Sequence, residues 1–142
     1  MDNIFLDTDV CLDILTRRKP HYQQSIELLR LRESTQKVRL CISESCIPNL
    51  IYFTTYKYKV EDSNIRLLDW IETCNLFSIE AKQSIIEALN SDFSDKEDAI
   101  QYHTAIKGKA DYFITRNKKD YDPYVSAIPV YTPSEFLELY AK

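Results

Sequence analysis

The sequence predicts a three-layer α/β fold, a five-stranded parallel sheet flanked by helices on both faces. Three observations carry that prediction. Strand-like apolar runs alternate with helical stretches along the whole chain. No two of these runs are joined by a hairpin signal, so each return crosses over through a helix. The 142 residues, at 16.7 kDa, suffice for one core, and a single domain over 1–142 is expected.

Each element follows from local pattern. Asn3–Leu6 (NIFL) is a short apolar run closed by Asp7, and reads as a buried strand. Thr8–Leu15 carries Val10, Leu12, Ile14 and Leu15, and reads as a short helix. Pro20 is expected to open a second helix with Ile26, Leu28, Leu29 and Leu31 on its apolar face. Val38–Ser43 is the second strand. Pro48 fits the first turn of a helix bearing Leu50, Ile51, Phe53 and Thr54. Ile65, Leu68, Trp70 and Ile71 stand at helical spacing within Asp62–Cys74. Asn75–Ile79 reads as the third strand and Ala81–Leu89 as a helix. Asp95–Lys107 is helical again, with Gly108 as its expected C-cap. Ala110–Thr115 and Pro129–Tyr131 complete the strands, and Pro133 starts a last helix through Tyr140.

Composition excludes several function classes. Hydrophobic residues at 44% and charged residues at 28% are a globular balance, not that of a disordered chain. With one glycine, neither GxGxxG nor GxxxxGK[ST] can be written. Eighteen Lys and Arg against 22 Asp and Glu leave a net charge of −4, so nucleic acid is not gripped by bulk electrostatics and any contact is local, brief or metal-bridged. The N-terminus lacks a basic n-region and no apolar run approaches membrane length, so a cytoplasmic protein without membrane contact is expected. Cys11, Cys41, Cys46 and Cys74 form no CxxC pair and sit in apolar segments, where a free thiol packs as a small hydrophobe. His21 and His103 are read as packing or surface residues.

In a parallel sheet, ligands bind beyond the carboxyl ends of the strands. There the chain places acids and amides: Asp7, Asp9 and Asp13 after the first strand, Glu44 and Asn49 after the second, and Thr115, Asn117 and Asp120 after the fourth. Asp95, Glu97 and Asp98 open the helix that precedes the fourth strand, where Asp95 is also a natural N-cap. Carboxylates converging at a buried sheet edge repel one another unless a cation neutralises them. Oxygen ligands without a Cys or His cluster suit Mg²⁺ or Mn²⁺. Arg17, Arg18 and Lys19 in one cluster, and Arg116, Lys118 and Lys119 in another, can steer a phosphate backbone locally, or form an ordinary solvated face. Tyr52, Tyr56 and Tyr58 suit base stacking or a dimer surface.

The segments FLDTDVCLDIL, SDKEDAIQYHTAIKGKADYFITRNKKDY and IPVYTPSEFLELY resemble the PIN domain family, in particular small bacterial members grouped with VapC-type toxins. The resemblance spans nearly the whole chain and is most specific from Asp95 to Tyr121. It implies an Mg²⁺- or Mn²⁺-dependent endoribonuclease that hydrolyses RNA phosphodiester bonds, a cognate antitoxin protein and a homodimer. Asp7 matches the first metal-binding acid and Asp98 the acid of the helix before the fourth strand, with Asp95 beside it as a further metal-binding acid. Thr115, Asn117 and Asp120 match the last polar cluster, with Asp120 serving where the family often has an acid at Asn117. The family's Glu in the helix after the second strand is Asn49 here. Asp9, Glu44, Arg116 and Lys118 are expected in supporting or substrate-contacting roles.

Other readings remain open on sequence alone. Loss of two acids to Asn49 and Asn117 also fits a catalytically weak or silent PIN-like binding module. FLDTDVC resembles the nucleophile loop of haloacid-dehalogenase-type phosphatases, though no Gly follows the second Asp. A receiver domain would need an Asp ending the third strand and a Lys after the fifth, and NLFSIEAK and VYTPSE supply neither.

Overall fold

The computed structural model describes residues 1–124 and 127–141. Its five strands, β1 (Asp2–Leu6), β2 (Val38–Ser43), β3 (Asn75–Phe77), β4 (Tyr112–Ile114) and β5 (Val130–Tyr131), form one sheet in the order β3-β2-β1-β4-β5. Every pairing is parallel, with Ile4 opposite Leu40 and Tyr112, and Phe5 opposite Cys41 and Phe113. The alternation of side chains along a strand then divides the core. Ile4 and Leu6 join Leu40, Ile42 and Ile114 on one face, where α1 (Thr8–Thr16), α2 (Tyr22–Thr35), α4 (Ser63–Thr73) and α7 (Pro133–Ala141) contribute Val10, Leu28, Trp70 and Phe136. Phe5, Cys41, Phe113 and Val130 face the other way, onto Ala99, Tyr102 and Ala105 of α6 (Lys96–Lys107) and Ala88 of α5 (Lys82–Leu89). The three-layer expectation holds.

Most boundaries shift by a residue or two from the sequence reading, with two informative differences. Pro20 does not open a helix; α2 begins at Tyr22, with Pro20 in the turn before it. After α3 (Ile47–Ile51), which holds Pro48 in its first turn, the chain widens into a π-helical segment at Tyr52–Lys57. All four cysteines are free and buried. Among the described residues no helix is long and apolar enough to cross a membrane.

Gly108 caps α6, but in a right-handed conformation with φ −80°. The left-handed turn falls on Lys109, at φ 61°. Glycine is required for a different reason: a Cβ there would lie 2.1 Å from Cδ2 of the Phe77 ring. Gly108→Ala is therefore expected to lower unfolding free energy by about 1–3 kcal/mol through overpacking, measured by urea denaturation. In a Phe77→Ala background the same substitution should cost much less.

Candidate active site

Asp7 follows β1 directly, and its backbone N–H still donates to Ile114 O at 2.9 Å across the sheet. It is the N-cap of α1, in extended conformation (φ −66°, ψ 158°), with Oδ1 accepting from Thr8 N at 2.8 Å. Strand and helix thus turn on one carboxylate, which is 7% exposed. Its Oδ2 accepts from the Thr115 hydroxyl at 2.9 Å and lies 3.0 Å from the Tyr121 hydroxyl.

Asp98 arrives from the other layer. Asp95 caps α6, with Oδ1 accepting from Glu97 N at 2.9 Å and Asp98 N at 3.2 Å. This cap places the half-buried Asp98 carboxyl with Oδ1 at 3.1 Å from the same Tyr121 hydroxyl. Asp98 Oδ2 has no hydrogen-bond partner among the described residues.

The charges are crowded. Burial, then the neighbouring Asp9, push the Asp7 pKa from 3.8 up to about 7, against the hydrogen bonds from Thr115, Thr8 and Tyr121. Burial likewise lifts Asp98 to about 6, assisted by the charges of Asp7, Asp95 and Asp120. Asp9 rises to about 6 by burial, opposed chiefly by Arg116. Three carboxylates on one rim hold their protons more tightly than free carboxylates do.

The segment after β4 is clamped onto α1 by two acids one turn apart. Asp9 Oδ2 accepts from Arg116 N at 3.3 Å and from Asn117 Nδ2 at 3.1 Å. Arg116 Nε pairs with Asp13 at 3.0 Å, where the Asp13 side chain is buried. Asn117 and Arg116 thus hold Asp9 and Asp13.

A cleft of about 550 Å³ opens over this rim, lined by Asp7, Asp9, Asp98, Asn117, Asn49 and Ser45, with Phe53 and Leu89 as apolar wall. Glu44 is exposed and does not line the cleft; the segment after β2 presents Ser45 and Asn49 instead. Asp120 is exposed on a 3₁₀ turn (Lys118–Asp120), near enough to raise the Asp98 pKa. Lys118 is drawn away from the cleft to Glu135, at 3.0 Å. Glu135 also accepts from Thr132 N, closing a capping box at the start of α7. The Arg17–Lys19 cluster lies past the far end of the nine-residue α1, about 14 Å along its axis from the rim where local steering of a phosphate backbone is expected.

Sequence reasoning missed Tyr121, which touches both Asp7 and Asp98. It is one tyrosine of ten and no spacing marks it.

The donor set fits a hard divalent cation: all oxygen, raised pKa values, and an unpartnered carboxylate oxygen on Asp98. Among the described residues no three acidic, imidazole or thiol groups form a finished cage. A pair of carboxylates is what Mg²⁺ commonly uses, since it keeps several of its waters.

The chain matches the PIN domain model over residues 3–119. It is 28% identical over 144 residues to Ribonuclease VapC1 of Aquifex aeolicus (strain VF5), covering 96% of this chain and 94% of that protein. Among solved structures it resembles VapBC2 from Rickettsia felis bound to a DNA fragment from their promoter, with a TM-score of 0.68 at 15% identity over 92% of this chain and 98% of that one. It also resembles VapBC-1 from nontypeable Haemophilus influenzae, with a TM-score of 0.66 at 16% identity over 93% and 98%. The family match spans most of the sequence, and the chain belongs to the PIN domain family.

Proposed function

We propose that this protein is a divalent-metal-dependent endoribonuclease, the toxin of a cytoplasmic toxin–antitoxin pair, with RNA as substrate. The observation that carries the reading is the meeting of Asp7 and Asp98, from opposite layers, at one cleft beyond the strand ends. The similarity to a protein named Ribonuclease VapC1 supports the activity, and the likeness to VapBC complexes supports an antitoxin partner. A second copy of the chain is the other protein partner in this reading. Exposed Ile51, Tyr52 and Tyr56 offer apolar surface for such contacts.

Asp7 and Asp98 would hold Mg²⁺ or Mn²⁺, and Asp95 adds negative charge at the adjoining cap. When bound, the cation supplies Lewis acidity that activates water and offsets charge on the phosphoryl oxygen. Thr115 fixes the Asp7 carboxylate by donating to Oδ2. Asn117 fixes Asp9. Asn49 presents an amide to the cleft that can donate to a phosphate oxygen. Asp120, exposed and near enough to raise the Asp98 pKa, would be the acid available to take up a proton from the attacking water.

The test is cleavage of single-stranded RNA by purified protein. Cleavage should require Mg²⁺ or Mn²⁺, vanish in EDTA, and fall roughly a hundredfold or more in Asp98→Asn, with the circular dichroism spectrum retained. Full activity in EDTA, or in Asp98→Asn, would overturn it. Asn49 and Asn117, amides where the family often has acids, favour a silent binding module as the second reading. That reading expects a stable complex with a partner protein and no cleavage with either metal.

A further inference from the structure

We infer that Tyr121 is a positioning residue for the cation-binding carboxylates, its hydroxyl setting how Asp98 stands relative to Asp7. The inference rests on the metal-dependent reading above. Among the described residues, Tyr121 is the one side chain whose hydroxyl stands within hydrogen-bond distance of both acids, 3.0 Å from Asp7 and 3.1 Å from Asp98, its single proton serving one at a time. The two acids lie on different elements and make no hydrogen bond to each other, so among the described residues no other hydrogen bond ties the Asp98 carboxyl to the Asp7 side of the cleft.

The ring that carries the hydroxyl is held fast. Tyr121 is 1% exposed. It packs against Phe113 at 4.7 Å between centroids and edge-on to Phe93 at 5.7 Å, with Tyr102 at 6.5 Å. Its backbone N–H donates to Lys118 O at 3.0 Å, fixing the turn that leads to it. A phenylalanine keeps every ring contact and deletes only the bridge. Partners that orient metal-binding carboxylates from behind typically change metal affinity by about 10- to 100-fold when removed.

The experiment is Mn²⁺ titration of the full chain, followed by electron paramagnetic resonance of free Mn²⁺, on wild type, Tyr121→Phe and Asp98→Asn. Tyr121→Phe is expected to bind Mn²⁺ about 10-fold or more weakly than wild type. Its RNA cleavage should recover toward the wild-type kcat as Mn²⁺ is raised, whereas Asp98→Asn should not recover. Equal or tighter Mn²⁺ binding by Tyr121→Phe overturns the role of Tyr121 and leaves the nuclease reading standing. A cleavage defect that added Mn²⁺ fails to relieve, with Mn²⁺ affinity unchanged, also overturns it. Absence of Mn²⁺ binding by wild type removes the metal-dependent reading itself, and this inference with it.

Discussion

Asp7→Asn is expected to raise the thermal midpoint of the metal-free protein at pH 8 while abolishing RNA cleavage. Asp7 is buried, and its pKa stands at about 7 against an ordinary 3.8. An acid whose folded value is raised contributes full stability below about pH 3.8, and that contribution is lost as pH climbs through about 7. At pH 8 the ionised group therefore opposes folding by an amount on the order of 3 kcal/mol. Asparagine has the same shape, accepts from Thr8 N, and carries no charge. The gain should be roughly 6–12 °C at pH 8 and should shrink toward pH 4.5. Added Mn²⁺ should stabilise wild type at pH 8 and leave Asp7→Asn nearly unmoved. Thermal melts in EDTA and in Mn²⁺, at both pH values, measure all of this. A variant less stable than wild type at pH 8 would show that the carboxylate's three hydrogen bonds outweigh its buried charge.

Arg116→Gln is expected to produce the largest loss of stability, about 3–5 kcal/mol, because it strands a buried carboxylate. The Asp13 side chain is 1% exposed and its ion pair runs to Arg116 Nε at 3.0 Å. Burial already raises the Asp13 pKa, and the Arg116 charge is the main force holding it down. Without that charge Asp13 rises further, so the deficit should be greater at pH 8 than at pH 5. The segment carrying Thr115 and Asn117 then loses one of its two anchors on α1, and cleavage should fall with it. Urea denaturation of Arg116→Gln, Asp13→Asn and the double variant separates the terms. The double variant should be much more stable than Arg116→Gln alone. A single-variant cost below about 1 kcal/mol would mean that Asp13 is neutral or solvated in the fold.

The layered architecture was legible because its signals are local. β2 coincides with the apolar run Val38–Ser43, and Asp95 caps α6 as its place before Lys96-Glu97-Asp98 suggests. Asp7 was legible for the same reason: an apolar strand ending on a carboxylate puts that carboxylate at the sheet edge. What was not legible depends on chain segments far apart. Nothing in TRNKKDY says that Arg116 reaches back to Asp13, that Asn117 serves Asp9, or that Lys118 turns to Glu135. The π-helical widening at Tyr52–Lys57 has no propensity signature, since its residues suit an ordinary helix equally well. Gly108 caps α6 as its type suggests, but the Phe77 ring that demands a glycine there comes from a strand across the sheet.

The central place of β1 between β2 and β4 governs when the acidic pocket can assemble during synthesis. Asp7 is made well before the groups it needs, since its partner Thr115 is 108 positions downstream and Tyr121 is 114 downstream. Over that interval the nascent chain holds the first acid without the strand, helix and turn that complete the pocket. The pocket is thus completed only once β4 and the turn after it have emerged, 114 residues behind its first acid.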